Sequence, residues 1–295
     1  MRNNLEKNVL ATLSYSDIFD SPLTLGQIHK FLVGQKANKK EIKGSLIKLL
    51  LTKKIGQDGR FYFLSKREKI VKAGIEREIV SQKKLKIARK AAKILRLIPS
   101  VKFIGISGAL ACKNSKEKDD IDFLIITKSG QVWTTRLLVT LLLDLLGKRR
   151  KPNDKKFKDK ICLNLFLDEN DLALGPKDLF FAREIVQLEP LYDKDSSYKK
   201  FLSQNLWIRE FLPNWKGYSR QPPALRDRSK SHKSKNFLVS SIWLLEAILR
   251  NLQLLYMRKR ITCEKLSKTQ IFFHPIDVHY KILAKYQKKI AQIPS

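Results

Sequence analysis

The chain has 295 residues and carries 60 lysines and arginines against 28 aspartates and glutamates, a net charge of +32. Its 43% hydrophobic content suffices for a buried core and excludes disorder throughout, and a length near twice a typical domain of roughly 150 residues predicts two or three modules. The three cysteines, Cys112, Cys162 and Cys263, have no paired spacing, so neither a disulfide framework nor a zinc knuckle is readable and a reducing, cytoplasmic setting is expected.

Met1 to Ala11 alternates charged and apolar residues, unlike a signal peptide. A helix is predicted from Asn4 to about Leu13. Thr24 and Gln27, then Asn38 and Glu41, stand three residues apart, the spacing of a capping box, and so predict two further helix starts. In the second of these helices Ile42, Leu46, Leu49 and Leu50 share one face. Ile55, the turn Asp58-Gly59 and the run Phe61 to Leu64 then read as a hairpin. Three helices and a hairpin within residues 1–65 resemble a winged helix-turn-helix domain. That resemblance implies DNA binding through the third helix, with Lys39, Lys40, Lys43 and Lys48 on bases or phosphates and Arg60 of the wing on the backbone. It equally implies a dimerisation or docking module, in which those lysines are a solvated face.

Residues 66–98 form a connector, one or two helices with an apolar stripe, softened at Gly74 and ended by Pro99. Basic residues cluster at Lys83 to Lys93, with six and no acid, and at Lys148 to Lys160, with eight against two. Clusters of this kind suit nucleic acid or another polyanion, although a composition biased toward lysine gives the same total.

Val101 to Ile106 is an apolar run of strand length. Ser107-Gly108-Ala109 follows, then a polar stretch, then Asp119-Asp120-Ile121-Asp122 opening the second run Phe123 to Thr127. On a strand, residues two apart face the same side, so Asp120 and Asp122 converge, and two carboxylates at that spacing can hold a hard divalent cation such as Mg²⁺. Gly108 admits a phosphate close to the backbone, and a helix starting near Ala109 directs its first amides at a triphosphate. A strand, a Gly turn, a short helix and a strand opening on Asp-Ile-Asp resemble the DNA polymerase beta-like nucleotidyltransferase superfamily. This implies an α/β (α+β) fold whose core, residues 99–180, is a small mixed sheet backed by helices, Gln131 to Gly147 supplying one of them.

The resemblance further implies a Mg²⁺-dependent enzyme that moves a nucleotidyl group from a nucleoside triphosphate to a hydroxyl, with Asp120 and Asp122 on the metal and Ser107, Gly108 and Ala109 at the phosphates. Two departures qualify it. Ala109 stands where many members carry a phosphate-holding serine, unless Ser107 substitutes from the other side of Gly108. The strand Ile161 to Leu167 also carries Asn164 where the family often has a third carboxylate, with Asp168 at its end as the alternative. A protein of this fold that has lost turnover and binds DNA or a partner is therefore the competing expectation.

Residues 181–295 read as a helical region, with helices over Leu179 to Leu188 and Tyr198 to Phe211, a basic loop at about 213–235 and a long helix from Phe237 to Met257. By resemblance this region packs beside the catalytic domain and helps to form the acceptor site. Glu246, Arg250, Asn251 and Gln253 interrupt the long helix, so no membrane span is expected. Its basic flanks, Lys233, Lys235 and Arg258 to Arg260, leave attachment to a membrane surface as a third reading. His274-Pro275, Asp277 and His279 have no third ligand placed by spacing and read as structural.

Overall fold

The structure is a computed structural model that describes residues 3–152, 154–217, 225–226, 237–258, 264–273 and 276–293. Most of the basic loop at 213–235, together with Lys233, Lys235, Lys259, Arg260, Cys263, His274 and Pro275, lies outside the described residues.

The N-terminal unit runs α1 (Asn3–Asp17), β1 (Leu23–Thr24), α2 (Leu25–Phe31), α3 (Lys39–Leu51), β2 (Ile55–Asp58) and β3 (Phe61–Leu64), with its strands in the order β1-β3-β2. Both capping boxes form. The Thr24 hydroxyl accepts from the Gln27 amide and the Asn38 side chain from the Glu41 amide, while Gln27 and Glu41 reach back to the cap amides at 2.8 and 2.7 Å. Ile28, Leu32, Ile42, Leu46 and Leu49 fill the core between these helices. The hairpin turn sits one residue later than Asp58-Gly59: Asp58 pairs with Phe61, and Gly59, at φ 53°, and Arg60 form the loop.

A single helix, α4 (Lys69–Leu95), spans the connector without a break at Gly74. A Cβ there would lie 3.0 Å from the Pro22 ring, so this glycine permits close packing against the β1 entry and does not soften the helix.

The second sheet contains β4 (Val101–Ile106), β5 (Ile121–Thr127), β6 (Ile161–Asp168), β7 (Glu189–Asp193), β8 (Leu225–Arg226), β9 (Lys265–Leu266) and β10 (Gln270–Phe272), in the order β8-β7-β4-β5-β6-β10-β9. One-turn α5 (Gly108–Ala111) leads from β4 toward β5. The apolar α6 (Val132–Leu145) is the crossover that makes β6 parallel to β5, while β4 is antiparallel to β5. Ile104, Ile106, Phe123, Ile125 and Phe166 face α4 and α6. Phe103, Leu124, Ile126, Leu165 and Leu167 face the opposite side, under α7 (Leu179–Gln187), α8 (Ser197–Gln204) and α9 (Ile208–Phe211). The expected helix from Tyr198 to Phe211 is divided because buried Asn205 turns its side chain to the Leu172 carbonyl and the Leu174 amide.

The chain closes with α10 (Phe237–Met257), packed on α6, and α11 (Ile276–Ala291). α10 turns Glu246 and Gln253 inward and leaves Leu244, Leu252 and Leu255 exposed. Among the described residues no helix is long and apolar enough to cross a membrane. The class is mixed α/β with open sheets.

Candidate functional site

The sheet face under α7 becomes polar where β4 ends and β5 begins. Ser107 follows β4, and its amide donates to the Asp122 carbonyl at 3.0 Å, placing the two residues opposite each other with their side chains on one face. Gly108 has φ 63°, and a Cβ there would lie 2.6 Å from Asp122 Oδ2. The glycine is thus required by the carboxylate itself. α5 is a single turn, too short for the aligned dipole that the sequence suggested at Ala109.

Asp120 and Asp122 come together as their spacing predicts. Asp122 is half-buried; burial first, and the neighbouring Asp120 charge second, push its carboxyl up to about 7. Asp120 Oδ2 accepts from Arg150 Nη1 at 2.5 Å, and that guanidinium also lies 4.4 Å from the Phe157 ring centroid. The residue opposite Asp122 on the parallel strand is Cys162. Its thiol bonds to Asp122, and burial, followed by the Asp122 and Asp120 charges, pushes it up. One ligand atom from each of Asp120, Asp122 and Cys162 lies within 4.8 Å of the other two.

Asn164 does not join this group. A register shift between Phe123 and Leu124 leaves it unpaired with β5, and its carbonyl accepts from the Phe273 amide instead. It lines a separate cavity of about 260 Å³ with Ser107 and Leu124. Asp168 is at the other end of β6, opposite Thr127, about 16 Å along the strand from the Asp122 level at ~3.3 Å per residue. Its oxygens accept from the amides of Gly130 and Asn170 at 2.7 and 2.9 Å, so it caps a turn there and is no third acid. Among the described residues no further carboxylate belongs to the group around Asp120 and Asp122.

Gly108, Ala109 and Asp122 open onto a cavity of about 880 Å³. Tyr15, Lys30, Phe31, Arg60, Arg183 and Trp215 are among its walls, so the N-terminal unit and α7 enclose it together. Arg183 is almost fully buried, its guanidinium 3.8 Å from the Phe31 ring centroid and 4.9 Å from that of Tyr15.

Lys39, Lys40, Lys43 and Lys48 are all exposed on α3, with Lys48 3.5 Å from Glu6. Arg60 is turned back to α4, where Glu78 holds it at 2.6 Å. The basic clusters are partly consumed internally. Arg149 pairs with Asp144, Arg150 with Asp120, Lys158 with Glu117 and Lys160 with Asp154. Lys84 is buried: its ammonium donates to Asp159 Oδ1 and the Asp119 carbonyl, each at 2.7 Å, and to the Glu117 carbonyl at 3.2 Å. It thereby fixes the approach to Asp120.

Sequence reasoning passed over Cys162, Arg150, Lys84 and Arg183. Strand parity puts Cys162 on the same face as Asn164 and was the one available signal; the other three require the tertiary arrangement. Comparison with protein-family models, with curated proteins and with solved structures finds no match to this chain.

Proposed function

We propose that this chain is a nucleotidyltransferase of the DNA polymerase beta-like kind, transferring a nucleotidyl group from a nucleoside triphosphate to a hydroxyl acceptor. The observation that carries this reading is the meeting of Asp120 and Asp122 beside the Gly108 turn, at the edge of a cavity of about 880 Å³. In the transfer the acceptor oxygen bonds to the alpha phosphorus, the bond to the bridging oxygen breaks, pyrophosphate leaves and the hydroxyl proton is released.

Asp120 and Asp122 are the residues that would hold a divalent cation, and a bound cation supplies charge neutralisation at the phosphates. Mg²⁺ suits the two carboxylates but not the Cys162 sulfur. Arg150 keeps Asp120 in place and supplies positive charge at the site. Gly108 leaves the Asp122 carboxylate room to reach the cavity, and Lys84 holds the Asp119 carbonyl and with it the strand entry. The walls contributed by Tyr15, Phe31 and Arg183 limit water and bound the acceptor on that side.

A second reading, a nucleotidyltransferase-like protein without turnover that binds DNA or a protein partner, is favoured by one observation: beside Asp120 and Asp122 a thiol stands where a third acid is needed, and Asn164 lies apart from the pair. The lysines exposed on α3 are the surface it would use.

Incubation with each alpha-labelled nucleoside triphosphate and Mg²⁺ in cell extract decides between them. Label transfer or pyrophosphate release that disappears in Asp120→Ala/Asp122→Ala supports the enzyme. Folded protein that turns over none of the four, yet shifts duplex DNA in a salt-sensitive way, supports the binder.

A further inference from the structure

Cys162 is a hydrophobic-sized residue in an unexpected place. Ile161 and Leu163 flank it on β6, yet the side chain opposite Asp122 is a thiol that meets two carboxylates. We propose that Cys162 is the third ligand of this centre and that the centre therefore selects a thiophilic divalent cation, of the zinc and cobalt class, over Mg²⁺. The inference rests on the reading of Asp120 and Asp122 as metal ligands and names which metal they serve.

Three observations converge on it. First, the donor atoms are already gathered: with separations of at most 4.8 Å, a common centre lies within about 2.8 Å of all three, and shifts of at most about 0.8 Å bring each to the ~2.0–2.3 Å that zinc takes from oxygen and sulfur. Second, Ser107 lies opposite Asp122 across the β4–β5 pair and is more than nine-tenths buried; it lines the neighbouring cavity of about 260 Å³, and among the described residues its Oγ has no hydrogen-bond partner. A buried hydroxyl without a partner is costly unless a bound group, such as a cation-held water, completes it. Third, charge balances. Two carboxylates and a thiolate facing a divalent ion leave one negative charge, and Arg150, already against Asp120, cancels it.

The selectivity follows from the donor set. Mg²⁺ demands near-octahedral oxygen ligation and retains its waters, so a sulfur on one side removes a position it could use. Zinc and cobalt accept mixed sulfur and oxygen donors in a four-coordinate shell, and three protein ligands leave one position open. Binding forms a sulfur–metal bond and releases the thiol proton to solvent.

The test is titration of the purified full-length chain with Co²⁺ followed by absorbance, with Zn²⁺ and Mg²⁺ as competitors. Wild type should develop a thiolate-to-cobalt charge-transfer band that Zn²⁺ abolishes and equimolar Mg²⁺ does not. Cys162→Ser should lose the band and at least about 100-fold in Zn²⁺ affinity, the upper end of what outer-shell changes cost, with Mg²⁺ affinity little altered. Cys162→Asp, which supplies an oxygen donor, should bind Mg²⁺ more tightly than wild type does. Circular dichroism of each variant guards against misfolding.

Cobalt binding without the band, zinc affinity unchanged in Cys162→Ser, or no binding of any of the three ions overturns the inference. It fails separately from the proposed activity. Mg²⁺-dependent label transfer that survives in Cys162→Ser but not in Asp120→Ala/Asp122→Ala, with no charge-transfer band, sinks the thiol ligand and leaves the enzyme. The band without label transfer, whichever cation is present, sinks the enzyme and leaves the ligand.

Discussion

Lys84→Met keeps most of the side-chain stem and removes only the ammonium, which makes it a clean test of whether α4 anchors the entry to β5. The three bonds of Lys84 use all the donors an ammonium has. Removing the charged partner of a buried pair typically costs about 3–5 kcal/mol. Asp159 is one-third exposed and can rehydrate, which places the expected loss near the lower end, about 3 kcal/mol. At ~2–4 °C per kcal/mol for chains of this size, the melting midpoint should fall by about 6–12 °C. Asp159→Asn, which leaves the two carbonyls still bonded to Lys84, should lose only about 1–2 kcal/mol. A double-mutant cycle by urea denaturation should give a coupling of at least about 1 kcal/mol between the two positions. A midpoint within about 2 °C of wild type for Lys84→Met would refute the anchoring argument, because no relaxation of an exposed loop leaves a buried ammonium so inexpensive to delete.

Three further changes test other parts of the architecture. In the metal-free protein Asp122 titrates near 7, against about 4 in an unfolded chain, so between those values the unfolded state is ionised while the folded state keeps its proton. Stability should therefore fall as pH rises from about 4 to 7 and then level, by up to about 4 kcal/mol before solvent screening of a half-buried group and about 2 after it. Asp122→Asn should remove this loss and exceed wild type at pH ~8, and parallel urea midpoints for the two proteins across the range would count against it. Gly108→Ala forces a side chain into a left-handed position and against Asp122 Oδ2; a loss of about 2 kcal/mol together with weaker Co²⁺ binding is expected in denaturation and metal titration. Glu246→Gln should destabilise by about 2 kcal/mol by calorimetry, because this α10 carboxylate accepts from the Trp133 amide, the Thr134 amide and the Thr134 hydroxyl at 2.6, 2.9 and 2.6 Å, capping an α6 that has no side-chain cap of its own.

The N-terminal helices were legible because their signals are local. Each capping box lies within four consecutive residues and forms as the spacing requires. The apolar runs at Val101, Ile121 and Ile161 were equally plain, since strands buried on both faces read as continuous hydrophobic stretches. β7 was missed because Glu189 and Pro190 interrupt its pattern; Leu191 and Tyr192 reveal a strand only once β4 offers an edge to pair with. α10 was read correctly as a helix, but the orientation of its polar residues was not readable. Glu246 and Gln253 are buried because α6 presents amides and a carbonyl to them. In the site itself the acid pair was readable from period two, whereas its third member depended on register. A bulge at Phe123 and Leu124 separates Asn164 from the pair, and Cys162 is the residue that β5 meets.

The N-terminal unit is part of the site's architecture as well as a surface of its own. The cavity wall and the exposed lysines fall on different helices. α1 and α2 supply Tyr15, Lys30 and Phe31 to the cavity, and no residue of α3 lines it. The unit is held in that position by several contacts: Arg183 against Phe31 and Tyr15, Asp17 accepting from Arg67 and from Lys289 of α11, Arg77 of α4 donating to the Phe19 and Asp20 carbonyls, and Asn214 bonded to the Ala37 amide and the His29 carbonyl. A polyanion gripped by Lys39, Lys40, Lys43 and Lys48 would thus lie on residues that do not line the cavity. Its effect on Asp120 and Asp122 would have to pass through α1 and α2 as a change in the width of the cavity. A wall fastened at this many points makes such movement expensive, so the width of the cavity beside Asp122 is set by the folded chain itself and not by what α3 would hold.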